Sequence, residues 1–169
     1  VVTGRFLNQR VAPCPLEVRG SAATWVDGRL HQWLSTQHAQ GTKASIAAAN
    51  GIEGDQVRVI TPDVGGAFGA KIGTYGEELM LGPISKALGL PVRWRETRSE
   101  SMMVLGHGRA QVQYVTMGGT RDGKVTHYQM HVIQDSGSFA EMGTILAPFM
   151  TRPMSSAVYA IPNIEVRTT

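Results

Sequence analysis

Cysteine, charge and long apolar runs are all scarce in this chain of 169 residues, and each scarcity closes off a class of function. Cys14 stands alone, which excludes an internal disulfide framework and a cysteine metal cluster. A lone thiol between two prolines, in "APCPLE", is expected to be buried and structural. Charged residues make up 17% of the chain, below the usual quarter or so, and the hydrophobic fraction of 42% is enough for a core, so disorder is not expected. No run reaches the roughly 18 apolar residues needed to span a bilayer. No signal-peptide pattern is present, and a cytoplasmic protein is the expectation.

The net charge is +3 and the pI about 9.3, but the basic residues are scattered. Arg93, Arg95 and Arg98 form the densest group, interrupted by Glu96 and Glu100, which reads as an ion-paired or solvated surface rather than a nucleic-acid face. None of the five histidines forms a helical ligand pair. His127 and His131 share one face of an expected strand, about 13 Å apart by strand rise, too far to hold one metal. The chain opens on Val-Val and closes on "IEVRTT", and both ends read as cuts in a longer polypeptide.

What is present begins with glycine. "RVITPDVGGAFGAK", from Arg58 to Lys71, runs from β-prone residues into Gly65, Gly66 and Gly69, and a helical pattern follows. It is not a Walker loop: the last glycine lies two residues before Lys71, and Ile72 stands where Ser or Thr is required. It is not a dinucleotide fingerprint either, because the order is Gly-Gly-x-x-Gly. Two readings stay open on local pattern. One is a tight turn packing a helix on a sheet. The other is a nest of backbone N–H groups for an anionic or oxo group.

Turn and period signals predict a hairpin around Asp27-Gly28, a helix over 39–50 stopped by Gly51, and a strand in "DQVRVITP". They predict a helix over 76–88 ended by Gly89, with Pro83 forcing a kink or a late start. A short strand in "PVRWRET", a helical turn in "SESMMVLG" and two long alternating strands around "RDGK" follow. A short helix in "FAEMGTILAPFM" and a last strand in "PNIEVRT" complete the pattern. The fold class is α+β: a mixed sheet with helices packed mainly on one face, including a long antiparallel hairpin. No internal repeat and no internal domain boundary is legible within 1–169.

Taken in order, several segments resemble the large, molybdenum-binding subunit of the molybdenum hydroxylases, the xanthine dehydrogenase, aldehyde oxidase and aerobic carbon monoxide dehydrogenase family. "NQRVAPCPLEVRG" looks like the family's entry strand, "LHQWLSTQ" like its strand ending in STQ, and "NGIEGDQVRVITPDVGGAFGAK" like its pterin loop. "LGLPVRWRETRSESM", "GHGRAQV", "DGKV…DSGSF" and "YAIPNI" close the match over nearly the whole chain.

The resemblance implies that 1–169 is part of the molybdopterin-binding region of a longer large subunit. It implies that Gln37 hydrogen-bonds an oxo ligand of molybdenum through its amide, a donor that adds no charge to an anionic cofactor. It places Gly65, Gly66, Ala67, Phe68 and Gly69 against the cofactor, with Phe68 also walling the substrate channel. Ala67 is a mild departure from the glycine or other small residue common at its position. Lys71 is expected in an ion pair or cap rather than as a base, and Glu77 and Glu78 on the surface or in helix packing. The helices after Gln37 and after Lys71 are expected to point their positive ends at the cofactor. Gln37 and the Phe68 backbone are then expected within about 10 Å of each other, the span of one metal centre with two contacts.

The purine branch of this family places a glutamate directly after the loop lysine and, like some aldehyde enzymes, an arginine nine residues before the tyrosine of "YAIPNI". Here those positions are Ile72 and Met150. With Phe68 they are the expected substrate lining; an apolar lining suits carbon monoxide, aldehydes or N-heterocycles better than a purine, and the carbon monoxide dehydrogenase-like branch is favoured. The resemblance implies hydroxylation with oxygen from water and a molybdenum–molybdopterin cofactor in its cytosine dinucleotide form. It implies iron–sulfur clusters and FAD on partner subunits or domains, in a dimer of heterotrimers. No catalytic residue and no direct metal ligand is expected within these residues, since the family's base lies further along the subunit. No nucleic-acid partner and no membrane span are expected. The alternatives are a xanthine dehydrogenase large subunit, or a cofactor-free structural domain.

Overall fold

A computed structural model describes the backbone of residues 1–169 and every side chain except those of Thr144, Ala147 and Pro148. The chain forms two compact units, Pro13–Leu105 and a second made of Val1–Ala12 with Gly106–Thr169. No local signal in the sequence marks that division.

The Pro13–Leu105 unit is built on the hairpin of β2 (Gly20–Val26) and β3 (Arg29–Leu34). Its turn residues Asp27 and Gly28 sit at φ 48° and 76°, the paired positive values of a turn that matches strand twist. β3 pairs in parallel with β4 (Val57–Ile60), and the crossover is α1 (Ala39–Asn50). Gly51, at φ 63°, ends α1 in the left-handed region, and the N–H of Ile52 closes back on the Ala47 carbonyl. β2 pairs antiparallel with β5 (Val92–Arg95), which follows α2 (Gly76–Leu88), so the sheet order is β4-β3-β2-β5. A short α3 (Arg98–Val104) follows β5. α2 begins at Gly76 and runs through Pro83, so the late start offered as one way to accommodate that proline is not taken.

Alternation decides which face is covered. Leu30, Gln32 and Leu34 of β3 are buried on one face with Ala23 of β2. Ile46 and Ala47 of α1, Val57 of β4 and Leu81 of α2 close that core. Both helices therefore lie on one face of a mixed sheet, as expected for the α+β class.

The second unit is another mixed sheet, ordered β1 (Val2–Asn8), β6 (Gln111–Gly119), β7 (Val125–Gln134) and β8 (Asn163–Thr168). β6 and β7 form the long antiparallel hairpin, with an irregularity at Gly118/Gly119. β1 pairs antiparallel with β6, and β8 pairs in parallel with β7. α4 (Met142–Leu146) runs into a π-helical turn at Ala147–Thr151. Two sheets thus stand where one was expected.

Two readings of the N-terminal segment are corrected. The entry strand is Val2–Asn8; of "NQRVAPCPLEVRG" only the end residues Asn8 and Gly20 belong to strands, and between them lies one isolated bridge, Val11 to Gly108. Pro13 and Pro15 have no N–H for a ladder. Cys14, held between them on irregular backbone, is exposed rather than buried.

Candidate functional site

Gln37 lies just past the end of β3, between that strand and α1. The chain there is fixed from both sides. Ser35 and Thr36 are buried, and the Thr36 hydroxyl donates to the Lys71 carbonyl at 3.1 Å and accepts from the His38 N–H at 3.0 Å. The Gln37 N–H donates to the same Lys71 carbonyl at 2.9 Å. Its side chain then reaches into the glycine loop: Oε1 accepts from the N–H of Gly69 at 3.0 Å and of Lys71 at 3.2 Å.

That pair of bonds spends the acceptor end of the amide on the protein. The donor end, Nε2, has no partner among the described residues, and the residue is exposed. Gly69 is bonded directly to Phe68, so the Gln37 side chain lies one peptide bond from the Phe68 backbone, well inside the 10 Å expected.

The loop itself is irregular from Thr61 to Tyr75. Gly66 and Gly69 have φ of 96° and 89°, and Phe68 has φ 54°, a costly value for an aromatic residue. Phe68 is 77% exposed, while Ala67 and Ala70 beside it are buried and linked by a turn bond from the Ala70 N–H to the Ala67 carbonyl. The N–H groups of Gly66, Ala67 and Phe68 have no partner among the described residues. Unpaired successive amides at alternating φ make a donor surface suited to an anion or an oxo group.

The residue missed in the sequence is Glu17. Its Oε2 accepts from the Gly65 N–H at 2.9 Å, the Ser35 hydroxyl at 2.6 Å and Lys71 Nζ at 2.8 Å. Its N–H donates to the Gly65 carbonyl at 3.1 Å, and its own carbonyl accepts from Lys71 Nζ at 3.0 Å. Burial works to raise the Glu17 pKa, but hydrogen bonds from Lys71, Ser35 and Gly65 outweigh it and hold the carboxyl below its usual range. Lys71 is only 1% exposed and also donates to Ser35 Oγ at 2.9 Å, so it is the structural ion pair expected. Glu17 sits in a segment with neither strand nor helix period, 48 residues before Gly65, and no local signal marks it.

The other carboxylates are structural too. Glu78 is buried at the start of α2, where it accepts from the Tyr75 N–H at 3.0 Å. Burial pushes its pKa up to about 7 against the opposing pull of that bond and of Arg19. Arg19, itself buried, pairs with Glu96 at 2.9 Å and Glu77 at 3.4 Å, and lies 4.0 Å over the Tyr75 ring. The first turn of α2 carries two acidic residues of its own, Glu77 and Glu78, which sit at the positive end of that helix. α1 differs: His38 makes no side-chain cap bond and no acidic residue occupies the first turn.

Of the expected substrate lining, Phe68 and Ile72 share the loop region, with Ile72 half-buried. Met150 belongs to the other unit, in the π-helical turn, and is 41% exposed. Among the described residues no cluster of three or more His, Cys, Asp or Glu is placed to hold a metal ion, and no helix is long and apolar enough to cross a membrane. The donor set of free amides and one carboxamide fits the oxygen-rich outer face of a metal cofactor, not a bare cation.

The model of the molybdopterin cofactor-binding domain family matches residues 1–169. The chain is 33% identical over 141 residues to the nicotine 6-hydroxylase large subunit of Paenarthrobacter nicotinovorans, covering 82% of this chain and 17% of that protein. It is 33% identical over 140 residues to the carbon monoxide dehydrogenase large chain of Hydrogenophaga pseudoflava, with the same coverage of 82% and 17%. Among solved structures, quinoline 2-oxidoreductase from Pseudomonas putida 86 superposes with a TM-score of 0.90 at 29% identity, over 99% of this chain and 22% of that one. The chain thus spans about a fifth of the length of the relatives it matches.

Proposed function

The chain belongs to the molybdopterin cofactor-binding domain family, and from that premise we propose that its Gln37 and Gly65–Gly69 loop form one wall of a molybdenum cofactor site in a longer oxidoreductase subunit. The observation that carries the reading is the division of labour in the Gln37 amide. Its oxygen is locked by Gly69 and Lys71, which leaves the NH₂ free beside the unpaired amides of Gly66, Ala67 and Phe68. When bound, the molybdenum cofactor supplies the two-electron redox step of a hydroxylation that draws oxygen from water. The residues of this chain donate hydrogen bonds to its outer oxygens and hold the loop at a fixed approach.

The whole protein acts on an apolar N-heterocycle, an aldehyde or carbon monoxide. Ile72 supports this, because an aliphatic side chain offers no hydrogen bond to a purine ring. The relatives' names point the same way, to nicotine, quinoline and carbon monoxide. The remaining machinery comprises the cytosine dinucleotide form of the cofactor, iron–sulfur and FAD partners, and a dimer of heterotrimers in the cytoplasm. Its support is the likeness to large subunits of multi-subunit enzymes. The test is analysis of the full-length protein purified with its partners. Molybdenum, pterin and cytosine nucleotide in equal amounts, with turnover of quinoline-type, aldehyde or carbon monoxide substrates, are expected. A complex free of molybdenum, or one active only on purines, contradicts the proposal.

A further inference from the structure

We infer that Glu17 is the positioning residue of the Gly65–Lys71 loop, the clamp that fixes the loop's unpaired amides where a cofactor meets them. This rests on the cofactor reading above. The loop is fastened at two places. Gln37 Oε1 takes the Gly69 and Lys71 amides. Glu17 takes the other end, with its side chain on the Gly65 N–H and its main-chain N–H on the Gly65 carbonyl. Between these anchors lie Gly66, Ala67 and Phe68, whose amides are free.

The same carboxylate oxygen that holds Gly65 also holds Lys71 Nζ at 2.8 Å and Ser35 Oγ at 2.6 Å. One atom thus ties the start of the loop, its last residue and the turn leading to Gln37. Lys71 is 1% exposed, and among the described residues Glu17 is the one carboxylate paired with it. Removing the Glu17 charge leaves a buried cation without its counter-ion and weakens the side-chain hold on Gly65, while the main-chain bond from Glu17 to the Gly65 carbonyl remains. The contact is also shaped for glycine: a Cβ at position 65 would lie 2.6 Å from Glu17 Cβ, so loop and clamp meet backbone to side chain with no space between.

Glu17→Gln in the full-length protein keeps the size and one acceptor but removes the charge. Hydrogen exchange is followed by mass spectrometry in the peptide covering 61–75 and in α1 as an internal reference. The loop amides are expected to exchange about tenfold faster, with α1 within about twofold of wild type. Glu17→Asp, which keeps the charge on a shorter arm, is expected to fall between. Unchanged loop exchange, or an equal rise in loop and α1, overturns the inference. Should Glu17→Gln yield no folded protein, Glu17→Asp decides by the same comparison.

Molybdenum content and the electron paramagnetic resonance spectrum, measured on the same samples, separate this inference from the cofactor reading. A loosened loop with molybdenum lost or its spectrum altered supports both. A loosened loop with full occupancy and an unchanged spectrum supports the clamp and overturns the cofactor contact.

Discussion

The Gln37 amide is divided between an oxygen that anchors the glycine loop and an NH₂ without a partner among the described residues. An Ala at this position removes both the loop anchor and the free donor, and turnover of the full-length enzyme is expected to fall roughly 10- to 100-fold, the usual cost of a lost outer-shell partner. Gln37→Glu separates the two roles. It keeps an acceptor for the Gly69 and Lys71 amides but replaces the NH₂ with a second acceptor. Loop order measured by hydrogen exchange should therefore survive while turnover still drops by that order, and wild-type turnover in Gln37→Glu would remove the donor role.

A second residue-scale prediction concerns pH. The Glu78 pKa is raised from 4.5 to about 7, so the folded chain holds that proton more tightly than the unfolded chain. Its contribution to stability is full below about 4.5, is lost as pH rises towards 7, and is flat above, at a cost on the order of 3 kcal/mol. Glu78→Gln, which still accepts from Tyr75, should remove that slope and gain stability above pH 7, as denaturant titrations across pH would show. Gln37 was legible because it closes a strand in a dense motif. Glu17 was not, because its partners lie 18, 48 and 54 residues away and only folding joins them.

Elements with local signals were legible and those made by long-range pairing were not. The Asp27-Gly28 hairpin, the Gly51 stop of α1 and the β6–β7 hairpin each follow from residues adjacent in sequence. β1 finds its place only by pairing with β6, more than a hundred residues on, and its burial is too slight to impose a clear alternation. The glycine loop was legible as a loop, but its geometry was not, because Gly65 is required by Glu17 rather than by its own φ.

Gly82 in α2 offers a test of the same kind. Its carbonyl accepts from Trp25 Nε1 at 2.9 Å, and an added Cβ would lie 2.8 Å from Leu30 Cδ2 and 2.6 Å from Asn50 Oδ1. Helix propensity alone favours Gly82→Ala by about 1 kcal/mol. Overpacking a buried contact costs roughly 1–3 kcal/mol, so the variant should be net destabilised. A raised unfolding midpoint would show that α2 shifts outward freely.

At the scale of the molecule, the Pro13–Leu105 unit carries Gln37 and the Gly65–Gly69 loop, and the whole chain spans about a fifth of the relatives it matches. Residues 1–169 produced alone are accordingly expected to retain no molybdenum, and stoichiometric metal by elemental analysis would show that this wall suffices. The α+β class was legible because strand and helix periods alternate. The split into two units was not, because it arises when Val1–Ala12 returns to β6 and the Gly106–Thr169 segment. The most direct test of the account is the experimental structure of the full-length protein with its cofactor bound. The account predicts the Gln37 Nε2 and the Phe68 N–H within about 3.5 Å of oxygens or other acceptors of the molybdenum cofactor. A cofactor more than about 6 Å from both donors, with those groups facing protein or solvent, would contradict it.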